Sequence, residues 1–292
     1  MTLGALTPSS AALALDVGGT KIEVGVIDTD GNLIARERMD TRANDPRLFD
    51  DVVTLLREVG SASPFGVLGV GCGGPMTQGG RTVSPLNIPA WREFPLLGRL
   101  SELFDVPVFI DNDAKALALG EGLFGSARGV AKYLSMVVST GVGGGIVLDG
   151  ELLDGRDGNA GHIGHVVVVP DGRLCACGAR GCLEAEASGT AIASVTGAPA
   201  SEASVEVRRR TGDLVGRAVA STAALLDFDR CFVAGSVALG FADDFFDAAN
   251  DAVARHAQIQ HARSLVISPS GLGTNGPLLG AAAVGWRGLP RG

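Results

Sequence analysis

The sequence predicts an α/β protein built on a duplicated strand–turn–strand unit, and three observations carry that expectation. Apolar strand-like runs alternate with helical periodicities along most of the chain. A Gly-rich unit starting at Leu13, LALDVGGTKIEVGVIDTDGNLIARERM, returns at Tyr133 as YLSMVVSTGVGGGIVLDGELL; duplication of one supersecondary unit accounts for both. Charged residues make up only 19% of the 292 and hydrophobic ones 46%, a balance that supports a packed core and argues against disorder.

Each element follows in order. An apolar strand from Leu13 meets the Gly18-Gly19 turn, then an alternating strand, an Asp30-Gly31 hairpin signal and a third strand. Residues 46–60 carry helical periodicity, and 65–71 and 107–110 read as short buried strands. A helix follows over 112–123, with Asn112 as its N-cap. The repeated unit from Tyr133 ends in an Asp149-Gly150 hairpin. Helices are expected at 183–194, 201–227 and 241–257, short strands at 231–234 and 265–267, and a closing helix at 276–286. No Pro/Ser linker divides the chain. The expected lobes are 1–114, completed by the C-terminal segment 276–292, and 115–275.

Lysine and arginine total 24 against 32 acidic residues, a net charge of −8. An acidic chain has no basic surplus to displace counterions, so nucleic acid and anionic membranes are excluded as expected partners. No apolar run approaches the roughly 18 residues of a spanning helix, and residues 1–11 lack the features of a signal peptide. Of five cysteines, Cys72 and Cys231 stand alone in apolar runs. Cys175, Cys177 and Cys182 are bunched, which points to metal rather than disulfides and to a reducing, cytoplasmic setting.

Four motifs carry chemistry. In Asp16-Val17-Gly18-Gly19-Thr20-Lys21 the glycines let backbone N–H groups approach a polyanion, Thr20 adds a hydroxyl, and Asp16 can hold Mg²⁺ or its water. The alternative is an ordinary hairpin turn. Thr140, Gly141, Gly143 and Gly144 occupy the matching place in the repeat, and two related loops suit a nucleotide triphosphate better than one. Gly235 follows a strand, where an adenosine would clash with a side chain. Asn112-Asp113 sits at a strand end, able to bind a substrate hydroxyl or simply to cap a helix. His162 and His165 precede the three bunched cysteines. Three thiolates and one histidine complete a tetrahedral, structural zinc set, and spacing leaves open which histidine ligates. Glu184 follows the last cysteine closely enough to be placed by that loop. By contrast, His256, His261 and Arg208-Arg209-Arg210 read as solvated surface, and Trp91 and Trp286 as packing residues.

Together these motifs resemble the ROK family (repressors, open reading frames and kinases) from Leu13 to Trp286, most specifically in Cys-x-Cys-Gly-x-x-Gly-Cys-x-Glu at 175–184. The resemblance implies the actin-like, ribonuclease H-like duplicated two-lobe fold of sugar kinases with a zinc-binding loop. It implies ATP-dependent transfer of a phosphoryl group to the 6-hydroxyl of a hexose of glucose or N-acetylmannosamine type. Asp16, Gly18, Gly19, Thr20, Lys21, Thr140, Gly141, Gly143, Gly144 and Gly235 match ATP-binding positions, with Mg²⁺ accompanying ATP. Asp113 matches the catalytic base. Gly74, Asn87, Asn112, His162, His165 and Glu184 match sugar contacts, and His165, Cys175, Cys177 and Cys182 the zinc ligands. A homodimer is also implied. The competing expectation is a sugar-sensing, non-catalytic or regulatory ROK protein without a DNA-binding domain. Two positions depart from the pattern: His162 stands where family glucokinases carry Glu, as in N-acetylmannosamine kinases, and Lys115 replaces a more usual Asn or Gln.

Overall fold

The structure, a computed structural model, describes residues 10–290. The expectation for residues 1–11 therefore falls almost wholly outside the described residues, as do the last two residues of the 276–292 segment. In chain order the elements are β1 (Ala12–Val17), β2 (Lys21–Ile27), β3 (Leu33–Asp40), α1 (Leu48–Gly60), β4 (Val67–Cys72), α2 (Leu96–Ser101), β5 (Val108–Asn112) and α3 (Asp113–Phe124). Then come β6 (Tyr133–Val138), β7 (Val142–Leu148), β8 (Glu151–Leu152), α4 (Leu183–Ala187), α5 (Gly189–Thr196) and α6 (Val205–Leu226). The chain continues through β9 (Arg230–Ala234), α7 (Ser236–Phe241), α8 (Asp243–His256), β10 (Val266–Pro269) and α9 (Gly276–Gly288).

These strands make two five-stranded sheets, ordered β3-β2-β1-β4-β5 and β10-β9-β6-β7-β8. The second is the first repeated: β6, β7 and β8 stand for β1, β2 and β3, and β9 and β10 for β4 and β5. In each sheet the hairpin pairs antiparallel and the later strands run parallel to its first member. β1 and β4 are buried at every position, as suits parallel strands covered on both faces. On one side of the first sheet, Leu13, Leu15, Val24 and Val70 belong to one core with Phe49, Val52 and Leu56 of α1. That helix turns a single apolar stripe inward and leaves Asp50, Asp51 and Arg57 in its polar first and last turns,.

The described residues divide into two compact units, one of those up to 129, 152–160 and those from 272 onward, the other of 130–151 and 161–271. The first passage thus falls after Gly129 rather than after 114, because α3 stays with the first unit. A Cβ on Gly280 of α9 would stand 2.6 Å from the Ala116 carbonyl carbon of α3, so glycine is what lets these two helices meet backbone to backbone. Trp286 completes the seam: its indole N–H donates to the Ser10 carbonyl at 2.9 Å and its ring meets Phe124 edge-on at 5.8 Å.

Three local differences from the sequence reading have identifiable causes. The expected helix at 183–194 is broken at Ser188, whose hydroxyl accepts the Ala191 N–H at 3.1 Å and starts α5 afresh,. The expected helix at 241–257 is preceded by the separate α7 and restarts at Ala242, held at φ 48°. Gly143 and Gly144 lie inside β7 rather than in a loop, paired with Val137 and Met136. Among the described residues no helix is long and apolar enough to cross a membrane.

Candidate active site

In the first unit the parallel strands β1, β4 and β5 end together, Val17 beside Cys72 and Cys72 beside Asn112. Their carboxyl edge therefore carries the Gly18-Gly19 turn, the Gly73-Gly74 segment and Asn112-Asp113. This is the edge at which open α/β sheets bind ligands. The turn is tight: the Gly18 N–H donates to the Lys21 carbonyl at 3.0 Å, and the Thr41 hydroxyl donates to the Gly18 carbonyl at 2.8 Å. Thr41, which the sequence reading did not single out, also donates its N–H to the Thr20 carbonyl at 3.0 Å. Asn87 closes over the same turn, since a Cβ on Gly19 would lie 2.9 Å from its Nδ2. Lys21 is turned along β2 to Glu23 at 2.8 Å, and Arg36 holds the other Glu23 oxygen.

Asn112 performs the capping role the sequence suggested: its Oδ1 accepts N–H bonds from Ala114 at 3.1 Å and Lys115 at 3.4 Å. Its carbonyl side is thus engaged within the chain, and its amide NH₂ is the group it has to offer a ligand. Asp113 opens α3, with Oδ1 accepting the Ala114 N–H at 2.8 Å. Buried Asp16 faces the same neighbourhood. Burial first, and then the charges of Asp113 and Glu23, push its carboxyl up to about 8, against a smaller downward pull from Lys21. Cys72 lies beneath these acids, and burial with the Asp113 and Asp16 charges raises its thiol well above the usual range. It is therefore a packed thiol and not a nucleophile.

The second unit repeats the arrangement. β6 and β9 end together, Val137 beside Ala234, so the 139–141 turn and Gly235 share one carboxyl edge. The Ser139 and Ser236 hydroxyls meet at 2.9 Å and tie the two turns. Gly235 has φ 102° and no room for a side chain against Val138. The Thr190 hydroxyl donates to the Thr140 carbonyl at 2.9 Å, and the Gly189 N–H to the Ser139 carbonyl at 2.7 Å. Glu184, at the start of α4, reaches this turn as well: its Oε2 accepts the Val142 N–H at 3.0 Å.

His165, Cys175, Cys177 and Cys182 converge so that their four ligand atoms lie within 4.8 Å of one another. Cys175 Sγ stands 3.7 Å from His165 Nδ1, and Cys177 Sγ 3.7 Å from Cys182 Sγ. A tetrahedron with metal–sulfur bonds of ~2.3 Å has sulfur–sulfur edges of about 3.8 Å, so the set fits a zinc ion. The thiols show what such an ion would relieve: burial and the neighbouring Cys177 and Cys175 push Cys182 up to about 12. His162 lies beside this cluster, its ring centroid 6.0 Å from that of His165. The loop is also fixed without metal. Buried Glu186 of α4 accepts the Arg173 N–H at 2.8 Å through Oε1 and the Arg210 guanidinium at 2.6 Å through Oε2. Arg210 is therefore a structural partner of the loop and not part of a solvated face, as its sequence neighbours had suggested.

With this geometry in place, comparison with known proteins gives the class. The ROK family profile matches residues 12–286, and the chain belongs to the ROK family. It is 35% identical over 291 residues to an N-acetylmannosamine kinase of Vibrio cholerae, covering 92% of this chain and 97% of that one. It is 39% identical over 193 residues to a glucokinase of Thermotoga maritima, covering 63% of this chain and 59% of that enzyme. The match thus spans under two thirds of that glucokinase's length. The crystal structure of a ROK family glucokinase from Streptomyces griseus, in complex with glucose and AMPPNP, superposes with a TM-score of 0.83 at 29% identity, covering 95% of this chain and all of that one. The two repeated sheets are the duplicated halves of the actin-like fold of ROK sugar kinases.

Proposed function

We propose that this protein is an ATP-dependent hexose kinase that transfers the γ-phosphoryl group to the sugar's 6-hydroxyl. The observation that carries this reading is the repeated carboxyl edge: one edge presents a Gly turn beside Asn112 and Asp113, its duplicate a Gly turn beside Gly235 and Glu184. Phosphoryl transfer passes through a loose transition state, so positioning and charge neutralisation do most of the work and the base accepts its proton late. Asp113 is assigned as that base, and Asn112, through its amide N–H, as a donor to a sugar hydroxyl. Glu184 accepts from another hydroxyl with the carboxylate oxygen not held by Val142. The Gly18-Gly19 and 139–141 turns supply N–H and hydroxyl donors to the triphosphate, and Gly235 gives the adenosine room.

Asp16 would hold Mg²⁺ or its water; its carboxyl, raised by burial and by the charge of the half-buried Asp113 beside it, is a donor that a cation suits,. When bound, Mg²⁺ neutralises phosphate charge. His165, Cys175, Cys177 and Cys182 would hold zinc, and four protein ligands leave no open position, so its role is structural.

The sugar turns on His162. A carboxylate there would repel an acetamido carbonyl, whereas a histidine donates from one ring nitrogen and accepts at the other. N-acetylmannosamine and glucose are accordingly the two substrates to compare. A panel of hexoses with ATP–Mg²⁺, followed by coupled ADP release, tests the activity: turnover of no hexose overturns the reading. In His162→Glu the ratio of kcat/KM for N-acetylmannosamine over glucose is expected to fall on the order of tenfold, the effect of one hydrogen bond. An unchanged ratio removes His162 from sugar choice.

A further inference from the structure

Lys115 lies in the first turn of α3, two residues beyond Asp113, and is only 2% exposed. A buried ammonium is costly unless every N–H finds a partner. This one finds three acceptors: Asp111 Oδ1 at 2.8 Å, Asp154 Oδ1 at 2.9 Å and the Gly158 carbonyl at 3.0 Å. Its donor capacity is thereby filled. The two acids are shared with Arg287 of α9, which reaches Asp154 Oδ2 at 2.8 Å and Asp111 Oδ2 at 3.5 Å. Two acids and two bases thus form a neutral, closed network, all of it within the first unit.

The location gives the network its significance. Asp111 and Lys115 bracket Asn112 and Asp113 in sequence, so their ion pair spans the strand-to-helix turn that presents both. Asp154 and Gly158 belong to the irregular 152–160 segment, which has no sheet or helix bonds beyond β8 and runs directly into His162. We propose that Lys115 is a positioning residue for the hexose site: it braces the Asn112-Asp113 turn and fastens the 152–160 segment against it. This rests on the hexose-kinase reading of the same site. The Gly turns assigned to ATP touch none of the four charged groups, so the brace acts on the sugar and leaves the nucleotide alone.

Two measurements test it. The first is steady-state kinetics of Lys115→Met, which fills the buried volume without the ammonium. The hexose KM is expected to rise on the order of tenfold, as misplaced contacts do, with the ATP KM changed less than about twofold. An unchanged hexose KM, or equal rises in both, overturns the proposal. The second is limited trypsin cleavage after Arg156, whose side chain is 93% exposed at the tip of the fastened segment. Cleavage tracks local opening, so Lys115→Met is expected to be cut there several-fold faster than wild type; an equal rate overturns the fastening. Should Lys115→Met fail to fold, Asp154→Asn decides by the same two measurements, because Asp154 is half exposed and its loss leaves Lys115 paired with Asp111. A wild-type protein that phosphorylates no hexose would sink the kinase reading, while the Arg156 cleavage rates would still decide whether Lys115 fastens the segment.

Discussion

Asp113 and Asn112 divide one turn into two tasks, and the division follows from which atoms the backbone already uses. Asn112 spends its carbonyl oxygen on the N–H groups of Ala114 and Lys115, so capping and ligand donation proceed from opposite ends of one amide. Asp113 accepts from Ala114 through Oδ1, and its second oxygen is the one assigned to the substrate proton. Asp113→Asn keeps the shape and the cap but cannot accept that proton. It is expected to lower kcat on the order of 10³-fold with hexose and nucleotide affinities within a few-fold of wild type. Isothermal titration alongside turnover measurements checks both halves; near-normal turnover in a folded variant would take Asp113 out of the base role. The place of this pair was legible in the sequence because an Asn-Asp step between an apolar strand and a helical run sets both residues at a strand end, with Asn112 as the cap,. The network of Lys115 was not, because Asp154 lies 39 residues from Lys115 and 133 from Arg287, the second base that it meets.

At the scale of elements, α4 connects the metal loop to the second Gly turn through two glutamates. Glu184 reaches the Val142 N–H, and Glu186 reaches Arg173 and Arg210. Burial alone would raise the Glu186 carboxyl, yet the Arg173 N–H and the Arg210 guanidinium together hold it below the usual range. Breaking a fully buried pair costs about 3–5 kcal/mol. Both arginine side chains are partly exposed (36% and 44%), and water takes up part of the loss. Glu186→Ala is therefore expected to destabilise by about 2 kcal/mol, measured by denaturant unfolding, and to speed loss of bound metal to a chelator. Unchanged stability and metal retention would show that the ligands alone hold the loop. The Cys cluster announced itself by spacing, and Glu184 by its distance from it. Arg208, Arg209 and Arg210 form a run whose sequence says only that a helix face is polar; that Arg210 meets Glu186 while Arg208 and Arg209 meet Asp244 is a tertiary fact. Gly143 and Gly144 pose the opposite question, since they lie inside β7. A glycine that lets strands and loops pack closely, as Gly144 does against Ile163 at 3.0 Å, looks in sequence like one that cradles phosphate.

For the whole molecule, the repeated strand order was legible because Gly turns and Asp-Gly hairpins recur at matching places. That the C-terminal segment completes the first lobe is expected from the sequence, but the place of the passage was not legible, since it depends on α3 and residues 152–160 packing with the first unit. That division has a measurable consequence. The chain has two tryptophans and one tyrosine. Trp91 and Trp286 both fall in the first unit, buried to 2% exposure, whereas Tyr133 and the four-residue metal cluster fall in the second. Tryptophan fluorescence therefore reports the first unit alone, and far-UV circular dichroism reports both. A metal bound only by the native loop stabilises that unit by mass action. Multi-unit chains need not unfold in one step. Chelation of the metal is expected to lower the urea midpoint of the part of the dichroism signal contributed by α4–α8, while leaving the fluorescence midpoint within error of the untreated protein. The Cys177→Ser variant is expected to reproduce the split without chelator, because it removes one of the four ligands. If chelation moves the fluorescence and dichroism midpoints down together, the two units unfold as one cooperative body and the metal loop supports both; if it moves neither, the loop is held by Glu186 and its arginines alone.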